Sequence, residues 1–247
     1  MADELVGGGT VQGDLIEMLE ATREAERSIY GLLDPVVRDA PNTIGDWSTK
    51  DVLAHLSAWR EVEAERLRTG WHERRAEVEG AAPDGAETES IDAVNARMAA
   101  ERAGWAWEHV AAAAEASIDT LQDAIETTPA EALERSENAV AGIGANGPNH
   151  ALGHLPEIAN LAGPDARPHV AAFEQRIEGI LARGRISDRD AGVMIYNLAC
   201  AASLAGRLDD ARRLITDALH RRPDLRDWSL DDPDLEAIRD DIPRLVG

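Results

Sequence analysis

The chain has 247 residues, 44% of them hydrophobic, and a formal net charge of -22, so it can bury a core in one large domain or two smaller ones. That charge repels phosphate backbones and anionic lipid surfaces, which excludes nucleic acid and the membrane surface as partners. With no stretch near the ~20 apolar residues of a membrane span, no leader-like start, and Cys200 as its only cysteine, the protein is expected to be soluble and cytoplasmic.

Ala, Leu, Glu and Arg dominate and no segment alternates with a period of two, which predicts an all-α protein. The first helix is expected from about Val11 to Leu33, with Leu15, Met18, Leu19, Ile29 and Leu32 at helical spacing. Ser48 followed by Asp51 forms a capping-box start for a second helix, which runs through VLAHLSAWREVEAERL. Gly80 to Glu87 reads as a surface loop, and IDAVNARMAAER as a shorter helix ended by Gly104. A third long helix is expected from about Trp107 to Ile125, then a helix start at Thr128, Pro129 and Glu131. The glycine-rich AGIGANGPN leads into a fourth, NHALGHLPEIANLAG, where Pro156 removes a backbone donor and predicts a kink or loosened turn after His154.

GPDARP marks a domain boundary near Pro164, dividing a bundle over 1–163 from a helical domain over 164–247, and a fragment ending at Gly163 is expected to fold alone. In the second part, YNLACAASLAGRLDDARRLITDALHRRPDL resembles one tetratricopeptide repeat, with Leu198, Ala199, Ala211, Ala218 and Pro223 at that repeat's positions. Two antiparallel helices approach closely only where small residues meet, and the proline stops the second. A single repeat cannot cover its own face, so a helix over about His169 to Ala182 and the tail DPDLEAIRDD are expected to flank it. Such a repeat is also a possible docking module for a protein partner.

His150 and His154 lie four apart on one helix, so both imidazoles point the same way, on the face of Ile158 and Leu161, expected to be buried. The spacing alone leaves metal ligands and paired core or surface histidines open. His55 lies on the second helix along the stripe of Val52, Leu56, Trp59 and Val62, where it reads either as a ligand or as a satisfied core histidine.

The segments DWSTKDVLAHLSAWRE, IDAVNARMAAERAGWAWEHVAAAAEAS and NHALGHLPEI resemble, in order, the signatures of the DinB superfamily, closest to its ClbS/DfsB branch, over roughly Val11 to Leu161. The resemblance implies a four-helix bundle in which His55, His150 and His154 converge on one divalent metal; a metal-free pocket that keeps them as hydrogen-bonding groups is the alternative. Three imidazoles with an open position suit Zn, Ni or Fe(II) and leave room for water or a low-molecular-weight thiol. The superfamily includes thiol transferases that use bacillithiol or mycothiol and a thiol-dependent maleylpyruvate isomerase. The ClbS/DfsB branch is associated with protection against electrophilic natural products, including opening of a strained cyclopropane. The implied function is therefore metal-dependent addition of water or a thiol to an electrophilic small molecule, in detoxification or self-resistance. The alternatives are a non-catalytic protein that sequesters a toxic ligand, and a thiol-dependent transferase or isomerase. No basic cluster for an anionic thiol is evident, and monomer and homodimer are both compatible with the sequence.

Around the histidines, Trp59 and Trp105 are candidates for an aromatic substrate wall or for core and rim packing, and Trp47 reads as core. Asn95 matches an asparagine of the resembled motif and is a candidate substrate contact, with capping or solvent contact as the alternative. Glu157 is a candidate catalytic base or partner of a ligating imidazole, or an exposed helix carboxylate. His72, His109, His169 and His220 have no partner at ligand spacing and are expected at the surface, and Cys200 is expected to be an inert packing residue.

Overall fold

The structure is a computed structural model and describes residues 9–72 and 90–245; the loop expected from Gly80 to Glu87 lies outside them. The described residues are all-α: thirteen α-helices joined by short turns and 3-10 segments, with no strand. Helix α1 (Val11–Gly31) is capped by Thr10, whose hydroxyl accepts from the Gly13 amide, and is followed by the short α2 (Pro35–Asp39). In α3 (Thr49–Arg68) the predicted capping box is formed: Ser48 accepts from the Asp51 amide, and Asp51 accepts from the Ser48 amide.

Helix α4 (Ile91–Arg102) matches the expected IDAVNARMAAER segment, and α5 (Trp107–Thr127) runs two residues past its expected end. Next come α6 (Ala130–Arg135), α7 (Glu137–Asn146) and α8 (Pro148–Ala162). The helix start expected at Thr128 is not built as a cap. The Thr128 hydroxyl donates back to the Ala124 carbonyl, 2.7 Å away, and α6 begins without a side-chain cap. The glycine-rich stretch is helical rather than a lead-in loop, because tight packing substitutes for propensity there. A β-carbon at Gly142 would overlap the Glu63 carboxylate, and one at Gly144 the Met194 methyl. Helix α8 continues through Pro156.

Helices α1, α5, α3 and α8 pack in a ring, each touching the next, and enclose the bundle core of Leu15, Met18, Leu56, Ile118, Leu121 and Leu155, all essentially inaccessible to solvent. Helix α4 lies on α3, and α7 packs on both α3 and α8. A buried ion pair crosses this core: Arg60 of α3, fully enclosed, holds Glu26 of α1 through its two terminal guanidinium nitrogens, Nη1 to Oε2 at 3.0 Å.

Past Gly163, helices α9 (Arg167–Leu181), α10 (Asp188–Leu204) and α11 (Leu208–Arg221) continue the chain, with α12 (Arg226–Asp231) and α13 (Ile242–Leu245) closing it. Helices α10 and α11 form a close hairpin in which Ala199, Ala202, Ala211 and Ala218 have no exposed surface, as the small-residue pattern requires. The 3-10 segment Pro233–Ile238 covers the hairpin, as expected of the tail. Helix α9 also packs along α1, and α8 along both α9 and α10, so one apolar core runs through both parts of the chain. Asp14 of α1, 2% exposed, accepts from Arg183 at 2.8 Å and from Arg185 at 2.7 Å across that seam.

Candidate metal centre

Helix α3 supplies His55 and α8 supplies His150 and His154. The ring of four helices turns these faces toward each other, and the three side chains offer one ligand nitrogen each, all within 4.8 Å of one another. The Nε2 atoms of His55 and His150 are 3.0 Å apart, with the rings edge to face. The His154 ring centroid lies 5.9 Å from that of His55 and 5.4 Å from that of His150. His55 is buried and the other two are half-buried. The face they share with Ile158 is buried at Ile158 but opens at Leu161, which is 38% exposed, contrary to the expectation that it is buried throughout. Past Ala159, α8 leaves the bundle core.

Burial, reinforced by the neighbouring histidines, holds His55 down to about 4 and His150 down to about 3, and burial lowers His154 as well. A neutral imidazole keeps one N–H and frees the lone pair of its other nitrogen, so each ring can offer one nitrogen as a ligand or as a hydrogen-bond acceptor. The 3.0 Å approach of His55 Nε2 to His150 Nε2 is a hydrogen bond in which one ring donates, and it is shorter than the about 3.4 Å that separates two nitrogens on one tetrahedral ion at about 2.1 Å, so the rings would part slightly to share an ion. The Nδ1 atoms of His55 and His150 are buried without a hydrogen-bond partner, so no carboxylate or carbonyl orients either ring. Orientation comes from packing. The Trp47 ring sits 4.6 Å from that of His55, held there by a tight turn in which Ile44 and Trp47 exchange backbone hydrogen bonds immediately before the Ser48 cap. Trp47, expected as core, is half-buried and walls the histidines.

The other candidates are placed differently. Trp59 follows His55 by one turn on α3, is 6% exposed, and donates its indole N–H to Asn95 Oδ1 at 3.0 Å, packed against Ala58 and Met98. The two residues thus pin α4 to α3. Trp105 stacks on His109 at 4.0 Å, with Arg102 over its ring and its carbonyl accepting from Lys50. Glu157 is exposed and lines a cleft among α8, α9 and α10 rather than the face of the histidines. Cys200 is buried with Sγ 3.9 Å from Asp232 Oδ2, and burial pushes the thiol up, in keeping with an unreactive residue.

His169, His220 and His109 are exposed as expected, but His72 is not. It is 4% exposed, with Nε2 2.7 Å from Glu63 Oε1, while Asn146 donates to the other carboxylate oxygen at 3.0 Å and Arg66 approaches at 3.3 Å. The fully buried Glu63 draws His72 inward. Nine residues separate the two with a helix end between them, so no regular spacing gives the pair away.

No family model matches the chain, and neither a curated protein nor a solved structure matches it. No described helix is long and apolar enough to cross a membrane.

Proposed function

We propose that the chain is a metal-dependent detoxification or self-resistance enzyme of the DinB type, adding water or a thiol to an electrophilic small molecule. The observation that carries this reading is the convergence of His55, His150 and His154, from two helices, within reach of one ion and with no carboxylate among them. Three neutral nitrogen donors suit Zn, Ni or Fe(II). A bound divalent ion would lower the pKa of a water or thiol in its open position and so supply a nucleophile at neutral pH.

The chain's own residues do the rest. The histidines hold the ion as neutral ligands, since burial keeps protons from competing for their nitrogens. Trp47 shields His55 and offers a flat apolar surface to a substrate, and the Trp59 bond fixes Asn95, whose amide N–H groups stay free to donate. Lys50 and Arg60, the basic residues nearest His55 on α3, are spent on the Trp105 carbonyl and on Glu26. That favours water over an anionic thiol as the group added.

Elemental analysis of protein purified without chelator tests the reading, with about one divalent ion per chain expected. His55→Ala, His150→Ala and His154→Ala should each lose it, and His169→Ala, at an exposed position, should keep it. A strained-ring electrophile should then be turned over many times by the loaded protein. Wild-type protein that takes up no divalent ion on reconstitution would refute the metal site, and consumption of one electrophile per chain without product would favour sequestration.

A further inference from the structure

A cleft of about 770 Å³, the size of a small-molecule site, lies among α8, α9 and α10, on a different face of α8 from the histidines. Leu152 and Val170 give it an apolar floor, and carboxylates approach from three elements, Glu157 of α8, Glu174 of α9 and Asp234 of the 3-10 segment. Glu174 is 5% exposed, and Arg207 binds its Oε2, but Oε1 is buried with no hydrogen-bond partner. Asn149, at the α8 end of the cleft, likewise has a buried Oδ1 that accepts nothing. Burial holds the Glu174 carboxyl above the ordinary carboxylate range in spite of Arg207. Of the two guanidinium groups on the lining, Arg207 is committed to Glu174 and Asp210, and Arg167 stands at the exposed rim. Two acceptors without donors, beside an apolar floor and an excess of carboxylates, want a positively charged donor on a hydrophobic body.

We propose that this cleft is a second binding site, for a small organic ammonium compound whose ammonium group meets Glu174 and whose apolar body lies against Leu152 and Val170. The site is independent of the histidine cluster, because the residues of α8 that line it, Asn149, Gly153, Pro156 and Glu157, are not those that carry the imidazoles.

Calorimetric titration of the full-length protein with hexylammonium, 2-phenylethylammonium, hexan-1-ol and hexanoate tests it. Both ammonium compounds should bind saturably at one per chain and the alcohol and carboxylate far more weakly. Glu174→Gln, which keeps the shape of the side chain, should weaken ammonium binding about tenfold or more, the loss of one charge-assisted hydrogen bond. Gly153→Phe adds a side chain where a β-carbon meets nothing within 4 Å, so it fills the cleft without disturbing the helix and should abolish binding. Absence of saturable ammonium binding in the millimolar range overturns the proposal and leaves ordered water as the partner of the two oxygens. So does equal binding of the alcohol, or binding that survives both substitutions.

Discussion

Removing the guanidinium from Arg60 while leaving Glu26 in place probes what holds α1 against α3. Arg60 has no exposed surface, Glu26 is 5% exposed, and each guanidinium end nitrogen binds one carboxylate oxygen. In Arg60→Met the carboxylate stays enclosed without a counter-ion, which costs about 3–5 kcal/mol where a buried pair is broken on one side. For a chain of this length that is about 6–20 °C in melting temperature. Glu26→Leu combined with Arg60→Met replaces both charges by apolar groups and should recover most of the loss, because the pair's mutual attraction mainly offsets its own desolvation. The variant also carries a pH signature. Enclosing a carboxyl group without a counter-ion penalises its charged form only, so the deficit of Arg60→Met should shrink as pH falls into the carboxylate range. Urea unfolding of wild type, both single variants and the double variant, at neutral pH and near the carboxylate range, gives the cycle. A double variant as unstable as the sum of the singles, or an Arg60→Met deficit that does not change with pH, would refute this account.

Three further outcomes follow from the same geometry. In metal-free protein the histidines have folded pKa values below their unfolded value of ~6.5, so the unfolded state binds more protons between the two and stability should fall as pH drops from ~6.5 toward 4; a flat urea midpoint over that window would show that the imidazoles are not buried as described. Ala218→Trp, at a fully enclosed position of the α10 and α11 hairpin, should cost ~1–3 kcal/mol or more by overpacking while leaving the histidines able to hold metal, as calorimetry and elemental analysis would show. A fragment ending at Gly163 uncovers the faces of α1 and α8 that α9 and α10 bury and strips Asp14 of both arginines. It should melt well below the full chain; an unchanged melting temperature would show that the shared core contributes nothing to the bundle.

What could be read from the sequence was what depends on local spacing. The Ser48 and Asp51 capping box, the extent of α4 and the enclosed alanines of α10 and α11 are all set by residues within one or two helical turns. The same holds for the pairing of His150 and His154, whereas the stripe along α3 left His55 open and only the family resemblance implied that it meets them. What escaped depends on approach between distant segments. The helical conformation of the glycine-rich α7 follows from Glu63 and Met194 pressing on its backbone, and propensity argues the other way. His72 is buried by Glu63, and Trp59 and Asn95, separately singled out, are joined by one hydrogen bond across 36 residues. Trp47 turned toward His55 because of a turn closed by Ile44, which composition does not reveal.

Helix α8 is a partition wall with a working surface on each side, and that has a consequence for how the gene can change. Successive residues on a helix are turned by about 100°, so His150 and His154 on one side and Asn149 and Gly153 on the other differ by a single step of register. Deletion or insertion of one codon at the start of α8 would turn the wall by about 100° and displace both sets together: a deletion carries His150 and His154 to the positions of Asn149 and Gly153, and an insertion carries Asn149 and Gly153 to the positions of the histidines. Point substitutions can alter either surface alone, but length changes in this helix cannot, so insertions and deletions should be tolerated in the surrounding turns and purged from α8.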